Sequence, residues 1–224
     1  MRATLTLKRS PRARAMRLRV DTRTGAVILT LPPRVSERKG LQWAAGHREW
    51  IESTLAKMPA AAAIMPGAEI PLYGEPHRID WIETGSRVVK VEAGKIIVGG
   101  PLESLESRLL RWLKQHARSL LEPETREFAE KAGVTVAGVG VGDPVSRWGS
   151  CSSSGGIRYS WRLILAPEWV RRATVAHEVA HRVHMNHGSA FHALVAELLG
   201  WDPKEVRQWL RQEGPAIHRI GRRL

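Results

Sequence analysis

The chain has 224 residues, 43% of them hydrophobic and 25% charged, so it can bury a substantial core, and this composition excludes wholesale disorder. Its 35 lysines and arginines against 22 acidic residues give a formal net charge of +13. This charge indicates either a polyanionic partner, such as nucleic acid, nucleotides or an anionic membrane, or simply a soluble protein rich in arginine. A single cysteine, Cys151, excludes a disulfide framework and a cysteine-based structural zinc site. Because no apolar run reaches the roughly 18 residues of a membrane span and the N-terminus lacks the apolar part of a signal peptide, we expect a cytoplasmic protein.

The first hundred residues are predicted to be rich in β-strands. Short apolar runs predict strands at 3–8, 15–21 and 26–31, the last two joined by a turn. One helix is predicted from Ser36, its N-cap, to Met58, followed by an alanine-rich linker. Four short runs separated by glycine-containing turns, between residues 69 and 100, predict a small antiparallel sheet.

Beyond residue 100 the pattern changes to helical periodicity. Regularly spaced leucines predict a long helix that ends near Gly133. Strands at 134–142 and 157–166 enclose a loop, and Pro167 then opens a helix. Glycines and a proline delimit two further helices, at 189–200 and 203–214. We therefore predict an α+β fold, with a β-rich N-terminal region containing one helix at 1–100 and a mainly helical domain with a short sheet at 101–224.

Five of the nine histidines lie between residues 176 and 192. Two of these, His177 and His181, are four residues apart, so a helix places both imidazoles on one face, one turn apart, where they can converge on one ion. Glu178 follows the first histidine and points about 100° away around the helix axis. That is the position of a general base beside a metal, so the pattern predicts metal-assisted hydrolysis.

A zinc site of this kind needs a third protein ligand, for which the sequence offers four candidates. His184 lies two helical turns from His177, about 10 Å along the axis, which is awkward for one ion on a straight helix. His187 lies far enough beyond the motif for the chain to turn and bring a ligand back, so geometry favours it. Glu197 is the next candidate, and His192 lies in the following helix. Zinc is the expected ion, with other divalent transition metals left open.

The segment before the motif supplies candidate substrate contacts. A strand that leads into a metal-bearing helix often forms a cleft wall, and its free edge can pair with an extended substrate. Trp148 either contacts substrate from this wall or anchors the loop in the core. Tyr159 and Arg147 are candidate partners for the substrate oxyanion.

These motifs together resemble the YgjP-like metal-dependent hydrolase family. The resemblance is carried by SRWGSCSS, WRLILAP and VAHEVAHRVHMNHGSAFHALV, and by LPPRVSERKGLQWAAGHREWI and GAEIPLYGEPHRI in the front half, so it spans nearly the whole chain. The catalytic segment is also similar to the more distant zincin-like WLM and SprT proteases, which act on DNA–protein crosslinks.

The resemblance implies a zincin-like catalytic domain in residues 101–224. It also implies that His177, His181 and His187 are the zinc ligands and that Glu178 is the catalytic base. One departure is visible, because relatives usually carry Asn where this chain has Ser160. If that Asn makes a structural hydrogen bond, serine is able to replace it; if it contacts substrate, the specificity differs.

Three functions remain open at this point. The first is a zinc metallopeptidase that acts on a peptide or protein through water activated by zinc and Glu178. The second is a metal-dependent hydrolase of nucleotide phosphoanhydrides, which suits the positive charge, although no glycine run matches a P-loop. The third is a non-catalytic nucleic-acid-binding protein with a structural metal, which would bind without sequence specificity through the basic N- and C-terminal segments.

Overall fold

The computed structural model describes residues 5–21, 25–56, 63–144 and 147–221, and it has the predicted α+β fold. The chain divides into two compact units, one of residues 1–61 with 222–224 and one of residues 62–221. This division lies before the boundary expected at residue 100, because the sheet between residues 69 and 99 shares one apolar core with the helices that follow it. Residues 22–24 of the turn predicted at 21–25 and residues 59–62 of the linker predicted at 59–67 lie outside the described residues.

The first unit is a three-stranded sheet with two helices. Its central strand, β3, runs parallel to β1 and antiparallel to β2. Buried side chains on β3, Leu29 and Leu31, pack with Ala44 of the first helix to form a small core. The elements are β1 (Leu5–Arg9), β2 (Arg17–Val20), β3 (Val27–Leu31), α1 (Glu37–Ala45) and α2 (Arg48–Ala56).

The single helix predicted from Ser36 to Met58 is broken into α1 and α2. Ser36 is the N-cap, as predicted, and its hydroxyl accepts a hydrogen bond from the backbone N–H of Lys39 at 3.3 Å. The break lies at Gly46, the C-cap of α1, where the glycine has little propensity to continue the helix. The side chain of His47 then bonds the carbonyl of Trp43 at 2.8 Å.

The second unit begins with a four-stranded sheet in the order β4-β5-β7-β6. The sheet is mixed, whereas the sequence predicted an antiparallel one, because the chain crosses from β5 to the outer strand β6 and returns with β7 parallel to β5. Tyr73 and Gly74 form the β4–β5 turn with φ of 58° and 87°, the conformation of a two-residue type I′ hairpin. The strands are β4 (Glu69–Leu72), β5 (Glu75–Ile82), β6 (Lys90–Glu92) and β7 (Lys95–Gly99).

The described part of the second unit also contains five α-helices. The long helix α3 buries leucines at helical spacing and packs against α4, to which a buried ion pair between Glu124 and Arg171 joins it at 2.9 Å. None of the helices in the described residues has both the length and the apolar character to cross a membrane. The α-helices are α3 (Leu105–Lys131), α4 (Glu168–Ala180), α5 (Ser189–Leu199), α6 (Lys204–Gln212) and α7 (Gly214–Arg219), with short 3-10 helices at Leu102–Ser104 and Trp161–Leu165.

A second small sheet lies beside α4. Its strands are β8 (Gly138–Gly142), β9 (Gly149–Cys151) and β10 (Gly156–Ser160), in the order β8-β10-β9. The sequence predicted a loop where β9 lies and assigned the free edge to the strand that leads into α4. In the structure that strand, β10, is central and paired on both sides, so the edge strands in the described residues are β8 and β9. Of these two, β9 lies against Glu178 of α4.

Candidate metal centre

The end of α4 brings two imidazoles together. His177 lies in the last turn of α4, and His181 directly follows its last residue with helical φ and ψ of −64° and −14°, so the four-residue helical spacing is kept. The two ring centroids are 5.0 Å apart. Val175 and Val179 on the same helix are fully buried and fix it in the core.

The chain then turns and brings a third imidazole to the first two. The Nε2 atom of His187 lies 3.2 Å from Nε2 of His177, and its ring centroid is 4.7 Å from that of His181. One ligand nitrogen from each of the three rings lies within 4.8 Å of the other two. Two ring nitrogens this close must share a proton or a cation, and three convergent imidazoles are a donor set that fits zinc.

Neighbouring groups orient these rings. Nδ1 of His181 bonds the backbone carbonyl of His184 at 3.1 Å, so Nδ1 is the donor and the lone pair of Nε2 is free for a metal. The fully buried ring of Phe191, in the first turn of α5, lies 4.6 to 4.8 Å from all three imidazole centroids. The three imidazoles therefore pack against one apolar ring.

Burial keeps two of the imidazoles neutral, the form that binds a metal. Desolvation, followed by repulsion from the neighbouring imidazoles, lowers the pKa of His177 to about 4. Desolvation also lowers the pKa of His181, with a smaller contribution from His187. At neutral pH, protons therefore compete little with a cation for these two ligands.

The carboxyl group of Glu178 lies between α4 and β9. Its residue is only 6% exposed, and burial raises its pKa to about 7, while the nearby Arg147 acts in the opposite direction. Gly149 of β9 provides the room, since a Cβ at this position would lie 2.5 Å from Oε1 of Glu178. A buried carboxyl with a pKa near neutrality is suited to accept and return a proton.

A cavity of about 520 Å³ opens beside this carboxyl. Residues from the loop before β9 and from α4, α5 and α6 surround it, most of them apolar or cationic. The lining residues are Arg147, Trp148, Gly149, Ala173, Thr174, His177, Glu178, His192, Val195, Pro203, Val206, Arg207, Leu210 and Arg211.

The three candidate substrate contacts occupy different environments. Arg147 is exposed at the cavity wall, and Trp148 is half-buried there, with its ring 4.5 Å from that of His218. Tyr159 does not line the cavity, because it is fully buried and its hydroxyl is hydrogen-bonded to Thr125 at 3.0 Å. The prediction that Tyr159 contacts substrate therefore gains no support from its position.

The other candidate residues also have defined places. His184 faces the site through its carbonyl oxygen, and the exposed His192 lines the cavity 6.4 Å from the ring of His187. Glu197 is exposed on α5. Ser160, at the position where relatives carry Asn, is buried and accepts a hydrogen bond from the N–H of Arg162, so here it has a structural contact.

Sequence reasoning missed two features of the site. Phe191 gave no signal beyond being apolar, since only the folded chain shows that it lies under the histidines. Arg207 and Arg211 did carry a signal, because they are four residues apart and share one face of α6.

The site has the features of HExxH metallohydrolases. These are two histidines one turn apart on a helix, a third histidine after a turn, and a buried glutamate beside them. A family model described as "YgjP-like, metallopeptidase domain" matches residues 14–213, and the chain belongs to this family. The resemblance seen in the sequence is thus confirmed, and at the family level the chain is a metal-dependent hydrolase of the metallopeptidase kind. Membership of this family implies a divalent metal and a peptide or protein substrate. No curated protein and no solved structure matches the chain.

Proposed function

We propose that this protein is a zinc-dependent metallopeptidase in which His177, His181 and His187 hold the ion and Glu178 is the general base. The observation that carries this proposal is the position of the buried Glu178 carboxyl beside three convergent imidazoles and an open cavity. Zinc held by three imidazoles, with one position open, acidifies water and polarises a carbonyl group.

The chain's own residues account for the proton transfers. Glu178 accepts a proton from the attacking water and then donates it to the departing amine. Burial raises its pKa to about 7, which suits both steps, and the lack of a side chain at Gly149 leaves room for the carboxyl group against β9. Phe191 and the carbonyl of His184 hold the imidazoles in their orientation, so the site needs little rearrangement.

The edge strand β9 supports a peptide as the substrate. Among the described residues, its Gly149–Cys151 backbone has one strand partner, β10, and it lies next to Glu178. An extended peptide that adds to this edge would place its backbone along the site, and its side chains would reach the cavity. The alternatives of a nucleotide hydrolase and of a non-catalytic nucleic-acid-binding protein gain no support from the family match.

The test compares the zinc-loaded protein with its Glu178→Gln variant on an unfolded protein and a peptide library, with products read by mass spectrometry. We expect about one zinc per chain in both proteins and a loss of hydrolysis of at least about 100-fold in the variant. Glu197→Gln, which makes the same change at an exposed position on α5, is the matched control and should retain activity. Equal activity of Glu178→Gln and wild type, or a zinc-loaded wild type that cleaves no peptide, would contradict the proposal.

A further inference from the structure

The cavity beside Glu178 is lined by three arginines that come from two sides. Arg147 belongs to the loop before β9, and Arg207 and Arg211 belong to α6. Glu178 itself is the single acidic residue in the described lining. The substrate side of the site is therefore strongly positive, and a bound divalent cation would add to this charge.

Helix α6 carries two positive charges in an arrangement that lowers the stability of a helix. Arg207 and Arg211 are four residues apart on one face, an arrangement of like charges that costs a helix some stability. The ion pairs found in the described residues include neither of them, and they do not include Arg147 either.

Arginines elsewhere in the same unit are neutralised. Arg171 and Arg172 on α4 are paired with Glu124 and Glu127, at 2.9 and 2.7 Å. Arg162 is fully buried and paired with Asp143. The arginines of the cavity differ from these because no carboxylate of the described residues forms an ion pair with them.

The cavity arginines are also close enough to the reacting groups to act on them. Arg147, Arg207 and Arg211 line the same cavity as His177 and Glu178. Between the arginines, the wall is formed by apolar side chains such as Val206 and Leu210. Such a wall packs against the methylene groups of a side chain whose end carries a carboxylate.

We propose that this cavity selects acidic peptides, with Arg207 and Arg211 binding carboxylates of aspartate or glutamate side chains next to the scissile bond. The guanidinium group suits this role because its planar donors bind a carboxylate through two hydrogen bonds. The inference rests on the proposed metallopeptidase function and names its substrate class.

Binding and cleavage are tested separately. Fluorescein-labelled peptides of one length, with Glu, Gln or Lys in the variable positions and amidated C-termini, are titrated against the zinc-loaded Glu178→Gln protein by fluorescence anisotropy. We expect the Glu peptide to bind most tightly and the Lys peptide most weakly. Adding Arg207→Gln and Arg211→Gln should weaken binding of the Glu peptide about 10-fold and leave the Gln peptide unchanged. Peptides with a free C-terminus identify any contribution from the terminal carboxylate.

Two further variants control for charge and folding. Arg158→Gln removes the same charge from an exposed position on β10 that does not line the cavity, and it should keep the preference for Glu. Arg211→Glu should shift the preference towards the Lys peptide, a gain that a misfolded protein would not show.

The outcomes separate this inference from the proposed function. Equal binding of Glu and Gln peptides, binding that depends on the C-terminal carboxylate alone, or a preference that survives loss of both arginines would overturn the acidic specificity. If wild type cleaves peptides with no acidic preference, the inference fails and the metallopeptidase stands. If the arginine-dependent binding is found but no peptide is cleaved, the acidic site stands and the proposed reaction fails.

Discussion

The backbone of Gly149 lies directly against the carboxyl group of Glu178, so that a Cβ on the glycine would be 2.5 Å from both Cγ and Oε1 of the glutamate. No real Cβ contact is this short, and Gly149→Ala must therefore displace the Glu178 side chain. We expect peptide hydrolysis to fall about 100-fold, because a misplacement of about 1 Å in a catalytic group is enough for such a loss. Zinc content should be unchanged, since the three atoms nearest to such a Cβ all belong to Glu178.

The matched control for this prediction is Gly138→Ala on β8. A Cβ there meets nothing within 4 Å, so activity and stability should stay near wild type. Hydrolysis rates, zinc content and thermal unfolding of both variants make the comparison. Full activity in Gly149→Ala would mean that the glutamate does not need its observed position.

Zinc affinity should depend on His187 much more than on its neighbour His192. His187→Ala takes away a nitrogen 3.2 Å from that of His177, whereas the ring of His192 is outside the group of three that lie within 4.8 Å. Loss of an outer partner of a metal ligand typically costs 10–100-fold in affinity, so we expect loss of His187 to cost more than about 100-fold. His192→Ala should change zinc affinity much less.

Competition with a chelator measures these affinities, and thermal unfolding provides a second readout. Zinc that binds only the folded chain raises the melting temperature, and this increase should disappear in His187→Ala. If His187→Ala binds zinc as tightly as wild type, His187 is not a ligand, and His192 becomes the candidate for the third ligand.

Breaking the buried ion pair between Glu124 on α3 and Arg171 on α4 should lower the free energy of unfolding strongly. Glu124→Gln leaves a buried guanidinium without its carboxylate, and we expect a loss of about 3–5 kcal/mol in the free energy of unfolding. The double variant Glu124→Leu with Arg171→Met should recover much of this loss, because no charge is then buried alone.

Urea unfolding at neutral pH is the measurement. Glu122→Gln on the same helix is the matched control, as its ion pairs with Arg118 and Arg126 lie at the surface, and it should cost no more than about 1 kcal/mol. Equal effects of the two substitutions would show that burial adds nothing to the Glu124 pair.

Glu127 should contribute stability that depends on pH. Hydrogen bonds from Arg172 and then from Lys131 lower its pKa from 4.5 to about 2. On acidification the unfolded chain takes up this proton first, so the contribution is complete above pH 4.5 and is lost as the pH falls towards 2. Glu127→Gln should thus be less stable than wild type at pH 7, with the gap narrowing below pH 4.5.

The size of this gap should be small, since the Glu127 side chain is 39% exposed and solvent screens its pairs. Urea unfolding of both proteins between pH 7 and pH 3, at low and high salt, tests the prediction. A gap that does not change with pH would show that the carboxylate's ion pairs are not its source.

Local sequence determined much of this fold. Ser36 caps α1, and Gly133 and Gly200 adopt the left-handed φ of 63° and 76° expected just after a helix, because these roles depend only on neighbours along the chain. The spacing of His177 and His181 fixed their shared helix face in the same way, since one helical turn has a fixed geometry. The break of the first predicted helix at Gly46 did not follow from local sequence, because helices tolerate some internal glycines.

Tertiary structure decided the features that turn this helix face into a candidate site. Strand β9 became an edge strand because β10 is the central strand and pairs with β8 on its other side. The same packing brings Gly149 against Glu178, Phe191 under the imidazoles, and α6 with Arg207 to the cavity. The sequence alone thus determined which residues are able to bind a metal and move a proton. Only the folded chain determined how deeply the base is buried and what charge meets the substrate, because both depend on which distant segments exclude water together.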